Sequence, residues 1–236
     1  MARLPNSETM SSSIQDRLKT DIFSAAWEPG TKLRISELSK RYGTSSTVIR
    51  DALTRLAGEK LLQFHPNRGF FIAQYSAAEL QDLSELRCRI EELGLQLAME
   101  RGDLEWESEL IASLHRLERT PRRAPEDPSR ITHEWFIAHQ AFHEALLDAC
   151  NVPLVMDFSM TLRDATALYR LWAAPHPAAG SRDIEAEHRA ILDAVLAHDV
   201  PLAQQLLRAH YTRTVEVITE LELPAKTADD RAAKDA

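Results

Sequence analysis

Only two cysteines occur in 236 residues, Cys88 and Cys150, and they form no C-x-x-C pair or evenly spaced framework. That argues against a disulfide-stapled secreted scaffold and for a reducing cytoplasm. No apolar run approaches the length of a membrane span, and the opening MARLPNSETM has no apolar signal-peptide core. The expectation is a soluble cytoplasmic protein with no membrane partner. Glycine is scarce, at seven residues, and there is no internal repeat or low-complexity tract, so a collagen-like chain is excluded. A hydrophobic content of 44% excludes wholesale disorder and suffices to bury a real core. Positive charge is short as well, with a formal net of -8, but unevenly so. Residues 1–75 carry 11 Lys/Arg against 7 Asp/Glu, a net of +4, while the remainder has a net of -12. The pattern fits an anion-facing module on an acidic body.

Residues 14–26 place Ile14, Leu18, Ile22 and Phe23 at helical spacing, and Pro29-Gly30 marks the turn that follows. Ser36 is the expected cap of a short helix over Glu37 to Tyr42, which Gly43 ends. Ser45 or Ser46 caps a third helix to about Gly58, with Val48, Ile49, Ala52, Leu53 and Leu56 as its buried stripe. In LLQFHPNRGFFIA the period changes to two around the tip Pro66-Asn67-Arg68-Gly69, which reads as a β-hairpin with a basic tip. Helix, short helix, turn, helix, hairpin is the order of a winged helix-turn-helix. From Ser76 the chain is helical almost throughout. A Ser76-x-x-Glu79 capping box opens a helix to about Arg101, and further helices cover about 103–119, 130–150, 152–173, 182–198 and 199–223. Three prolines make 120–130 a loop, and AAPHPAAGS separates two of the later helices. The fold class is mainly α. A winged helix-turn-helix at 10–74 and a linker at 75–80 lead to an antiparallel bundle at 81–223 and a flexible tail at 224–236.

The second helix of a helix-turn-helix enters the major groove by its N-terminal residues. Here that edge offers the hydroxyls of Ser45, Ser46 and Thr47, with Arg50, Asp51 and Thr54 one and two turns on. Arginine makes bidentate contact with guanine, so Arg50 is the expected base reader. Arg34, Lys40, Arg41 and Arg55 are placed to reach phosphates. Pro29-Gly30-Thr31-Lys32-Leu33 is similar to the P-G-x-x-L of GntR-family bacterial transcription factors. Gly43-Thr44-Ser45-Ser46-Thr47-Val48-Ile49-Arg50-Asp51-Ala52-Leu53-Thr54-Arg55-Leu56 resembles the family's G-V-S-R-x-P-V-R-E-A-L-x-R-L, and Arg68-Gly69-Phe70-Phe71-Ile72 resembles its wing R-G-x-x-V. The resemblance implies that Arg50, Ser45 and Thr47 contact operator DNA and that Arg68-Gly69 brings the wing to the minor groove. Ser46 stands where the family usually has Arg, and Asp51 where it has Glu, so operator preference is not carried over.

Four of the nine histidines lie in apolar helical stripes. His139 and His143 are four residues apart on a face with Phe136, Phe142 and Leu146. His188 lies among Ile184, Ile191, Leu192 and Val195, and His210 among Leu206, Leu207, Thr214, Val217 and Ile218. An imidazole aimed into a bundle core needs a hydrogen bond or a metal. Residues 80–221 resemble the all-helical FCD effector domain of the FadR-like branch, through Glu85-Leu86-Arg87-x-x-Ile90-Glu91, Phe142-His143 with Asn151, Glu187-His188-Arg189-Ala190-Ile191 and Ala203…His210. Family members of this kind hold a divalent metal by one Asp and three His. His143, His188 and His210 carry over, and His139 occupies the Asp position. An all-imidazole set is softer and favours Zn²⁺, Ni²⁺ or Cu²⁺ over Mn²⁺ or Mg²⁺; zinc or nickel is the expected cofactor. Arg87 and Arg163 are candidates for gripping a carboxylate effector, or else form ion pairs with Glu91 and Asp164.

The function expected is a metabolite-responsive regulator, a repressor acting as a homodimer on a pseudo-palindromic operator and relieved by a small carboxylate. Two rivals stand beside it. A metalloenzyme would use the same four histidines, although H-E-x-x-H is absent and Glu144 is expected to point away from them. A DNA-binding protein with a purely structural metal needs only a closed site.

Overall fold

A computed structural model describes residues 10–128, 130–174 and 182–219, and the chain divides into two compact units between Tyr75 and Ser76. In the first unit, α1 (Met10–Phe23) buries Ile14, Leu18, Ile22 and Phe23 on one face. It starts before residue 14 and stops short of 26, because Ala25 turns into the left-handed region at φ 57°. A two-residue strand, β1 (Lys32–Leu33), follows Pro29-Gly30. It was not expected; so short a strand has no periodicity to detect. Gly30 must be glycine on two counts, a φ of 74° and the Gln74 side chain 2.6 Å from any added Cβ.

Helix α2 (Ile35–Tyr42) is capped at Arg34 rather than Ser36, so it begins earlier than expected, and Gly43 ends it at φ 65°. Helix α3 (Ser46–Gly58) starts at the expected cap, Ser45, whose hydroxyl accepts from the Val48 amide at 3.3 Å. Its stripe Ile49, Ala52, Leu53 and Leu56 is buried, while Val48 is only half-buried. Strands β2 (Leu62–His65) and β3 (Gly69–Ile72) pair antiparallel with Phe64 opposite Phe70, and β1 joins the other edge of β3 to give the order β1-β3-β2. Asn67 and Gly69 supply the positive φ values that close the wing.

The second unit is helical. Ser76 and Glu79 form the reciprocal capping box of α4 (Ala77–Arg101). The linker expected over 75–80 is therefore shorter, since Ala77 to Leu80 already belong to the helix. Then come α5 (Leu104–Arg119), α6 (His133–Asp148), α7 (Pro153–Ala173), α8 (Ile184–Leu196) and α9 (Val200–Thr219). Asp103, Thr132 and Asp183 each cap the next helix through a side-chain oxygen. The expected tail, residues 220–223 of the last expected helix and most of AAPHPAAGS lie outside the described residues. Helix α4 packs on α6, α7 and α9. Gly94 permits that approach: an added Cβ would lie 3.0 Å from Val155 and 3.2 Å from Leu147. The core includes Leu95, Leu110, Phe142, Leu146, Ile191, Leu207 and Tyr211. Polar side chains from five of these helices, Arg87, Glu91, His139, His143, Ser159, Arg163, Thr166, His188 and His210, are buried in this unit. Such groups persist only with partners.

Candidate metal centre and nucleic-acid interface

In the first unit, the exposed edge of α3 presents Ser46, Thr47, Arg50, Thr54 and Arg55. Arg50 is exposed and makes no ion pair among the described residues, so its guanidinium is available to a ligand. Arg55 pairs instead with Asp51 at 3.3 Å, one turn earlier on the same helix. Asp51 also accepts from the Ser11 hydroxyl of α1, which ties α3 to the helix behind it. Thr54 donates back to the Arg50 carbonyl at 2.8 Å, and Ser46 lies 3.4 Å from the Ser39 hydroxyl. Ser45 spends its oxygen on capping, yet its proton stays free to donate. Arg34 pairs with Glu37 at 3.0 Å and Arg41 with Asp21 at 2.7 Å; both are exposed pairs that a phosphate can compete for. At the wing tip Arg68 is exposed, with its guanidinium 5.6 Å from the Phe71 ring centre, and Gly69 is half-buried.

In the second unit, α6, α8 and α9 bring His139, His143, His188 and His210 together, with one nitrogen from each within 4.8 Å of the others. All four rings are buried. Burial pushes all four imidazoles well below their ordinary range, His210 to about 4. Neutral rings keep their lone pairs for a metal. The Nε2 atoms of His139 and His143 are 3.2 Å apart. Two nitrogens on one ion at ordinary bond lengths are separated by about 3.0–3.4 Å.

The surrounding groups aim these nitrogens. His143 donates from Nδ1 to the Tyr211 hydroxyl at 2.9 Å, and Tyr211 donates in turn to Glu91. Glu91 also accepts from Arg87 at 2.8 Å and from Ser159 at 2.9 Å. On the other side His210 donates from Nδ1 to Glu187 at 2.9 Å, and Arg182 holds that carboxylate. These hydrogen bonds hold the ligand face at Nε2 for both rings, the usual support of a metal-bound histidine. His188 Nε2 is buried with no hydrogen-bond partner, and so is His139 Nδ1. The orphaned His188 Nε2, together with the Nε2 atoms of His139 and His143, fits a divalent ion, so the residues present suit the group; His139 Nδ1 lies on the far side of its ring from His143.

The two candidate effector residues are placed differently. Arg87 is buried on Glu91 and Thr166, its ring-facing side 3.8 Å from the centre of Tyr211, and its Nη2 has no hydrogen-bond partner. It lines a hollow beside His210. Arg163 reaches Glu144 and the Gln140 carbonyl at 3.5 Å rather than Asp164, and does not line that hollow. Glu144 is exposed, turned away from the histidines. The supporting Tyr211 and Glu187 and the inward-facing Arg170 were not anticipated. Ser159, Arg163, Thr166 and Arg170 recur at helical spacing within apolar α7, a polar stripe that signals an interior polar face.

Comparison with known proteins agrees with both units. Residues 10–72 match the family model "Bacterial regulatory proteins, gntR family", and residues 82–213 match the FCD domain. The chain is 33% identical over 209 residues to the uncharacterized HTH-type transcriptional regulator BphR of Paraburkholderia xenovorans, covering 88% of this chain and 84% of that protein. It is 31% identical to the HTH-type transcriptional repressor GlaR of Escherichia coli, covering 86% and 93%. E. coli McbR/YncC shares the fold with a TM-score of 0.75 at 19% identity, over 91% of this chain and 99% of that one. The chain belongs to the GntR family of bacterial transcriptional regulators, as an FCD-domain member, and its role is regulation rather than catalysis.

Proposed function

We propose that this regulator is a homodimeric repressor that binds double-stranded operator DNA, and that a small carboxylate bound at a divalent metal in the FCD domain weakens that binding. The observation that carries the reading is the set of four buried imidazoles, with two of them aimed by Tyr211 and Glu187. His139, His143, His188 and His210 would hold the ion, zinc or nickel by the softness of the donor set. Bound there, the ion supplies a centre of double positive charge that attracts an anionic ligand. Glu91 and Glu187 are each matched by an arginine, so neither cancels that charge. Arg87, with its free Nη2, adds to the grip on a carboxylate, and Arg163, whose Nε is likewise without a partner, is the second candidate.

Arg50 and the hydroxyls of Ser45, Ser46, Thr47 and Thr54 would read the major groove, Arg34 and Arg55 would bind phosphates, and Arg68-Gly69 would enter the minor groove. A homodimer presents two such faces about one helical turn of DNA apart. Ligand and DNA affinities are then linked reciprocally through whichever dimer state each prefers. Metal analysis tests the site: purified protein carries about one divalent ion per chain, and His143→Ala and His210→Ala lose it. Protein never exposed to chelator and free of metal would reduce the four histidines to packing.

A further inference from the structure

Among the described residues, Arg170 has no hydrogen-bond or ion-pair partner. Arg170 lies on α7, one turn beyond Thr166 and two beyond Arg163, and its Nε and Nη2 atoms are buried without a hydrogen bond. Three neighbouring interior arginines are matched: Arg87 by Glu91, Arg163 by Glu144 and Arg182 by Glu187. Around Arg170 the charges are of its own sign, and burial together with Arg87, Arg122 and Arg163 holds its guanidinium down to about 9. Arg170 is half-buried overall, but its Nε and Nη2 lose water without gaining a partner, and a hydrocarbon of similar volume in its place is neutral or stabilising.

Two hollows meet at this residue. The inner one is lined by Ser84, Arg87, Thr166, His210 and Tyr211. The outer one is walled by Ile131, Ala174, Ile184 and Val217, with Arg122 and Arg182. Arg170, Thr214 and Ile218 line both. The positive charge of Arg170 also helps to hold His139 neutral. A cation without a partner thus stands beside the histidine cluster and opens onto an apolar wall.

We propose that Arg170 is the anion grip of the effector site, and that the effector is a carboxylate with a compact apolar body. Its carboxylate pairs with the guanidinium beside the histidines, and its body lies against Ile131, Ile184, Val217 and Ile218. The inference rests on the carboxylate-responsive reading above and narrows its ligand class to branched or aromatic acids. Polyhydroxylated sugar acids are disfavoured, because an apolar wall leaves their hydroxyls unpaired. Each methylene that leaves water raises affinity about fourfold.

Calorimetric titration of the metal-loaded full chain with acetate, butanoate, 4-methylpentanoate and gluconate tests this, on wild type, Arg170→Met and Arg170→Lys. Affinity is expected to climb about fourfold per added carbon from acetate to 4-methylpentanoate. Gluconate, of equal carbon count, is expected at least tenfold weaker. R170M still loads metal, melts at the wild-type temperature or above, and loses carboxylate binding about a hundredfold. R170K keeps the charge but not the fork, and loses about tenfold. Gluconate binding as tightly as 4-methylpentanoate overturns the ligand class. Undiminished carboxylate binding by both variants overturns the role of Arg170. If no carboxylate binds wild type that is loaded with metal and shifts operator DNA, this inference and the carboxylate fail while the DNA-binding and metal assignments stand. Failure to load metal would strike the broader reading instead.

Discussion

Acid should unfold the metal-free FCD unit well before carboxylates begin to titrate. Each of the four clustered imidazoles has its folded-state affinity for protons lowered by burial. Each therefore binds a proton more readily in the unfolded chain, where the ordinary value is about 6.5. Their stabilising contribution is full above that value and is lost as pH falls below it. At pH 5.5 each neutral buried imidazole costs about 1.4 kcal/mol relative to pH 7.5, or about 5 kcal/mol for four. His210, lowered only to about 4, is still mostly neutral there. Glu187 is depressed from 4.5 and contributes no change in this window. A loss of about 5 kcal/mol is a large share of the 5–15 kcal/mol that holds a typical domain. Urea denaturation in chelator at the two pH values measures it. Tryptophan fluorescence follows the transition, since Trp135 stacks on His139 with centroids 4.7 Å apart. A stability change below about 1 kcal/mol would refute the argument that these rings are buried and neutral.

Arg50→Ala should weaken operator binding by about 10–100-fold at unchanged thermal stability, because one exposed, unpaired guanidinium is removed; a normal gel shift would sink the recognition-helix assignment. Affinity of the wild type should also fall steeply with salt, read by anisotropy between low and physiological ionic strength. Tyr211→Phe leaves the His143 Nδ1 donor and Glu91 without their shared partner, so metal affinity should drop about 10–100-fold in competition with a chromophoric chelator. His139→Asp replaces one neutral donor by a carboxylate and should move preference towards Mn²⁺ over Zn²⁺ in the same competition. Ser76→Ala removes half of the capping box that opens α4 and should cost about 1 kcal/mol in urea denaturation.

The local signals were legible in the chain. The Ser76–Glu79 box, the Ser45 cap and Gly43 lie where short-range chemistry puts them, and the histidine stripes on α6, α8 and α9 converge as their spacing implies. What the sequence did not disclose depends on pairing between distant residues. The Tyr211–Glu91 bond joins residues 120 apart, and the His210–Glu187 bond joins residues 23 apart on two helices. Neither leaves a local pattern. Strand β1 escaped notice because two residues, Lys32 and Leu33, are held by β3 rather than by their own propensity. Arg163 chose Glu144 on α6 over its chain neighbour Asp164, since adjacent residues on a helix do not face one another.

Whether ligand at the four-histidine site sets affinity for DNA can be read from operator anisotropy. A labelled duplex selected by the protein from a random pool is titrated with metal-loaded or chelated protein, each with and without 4-methylpentanoate. The acid is expected to weaken DNA binding at least tenfold with metal-loaded protein and to have no effect on chelated protein. An equal response of the two forms, or none in either, would contradict it.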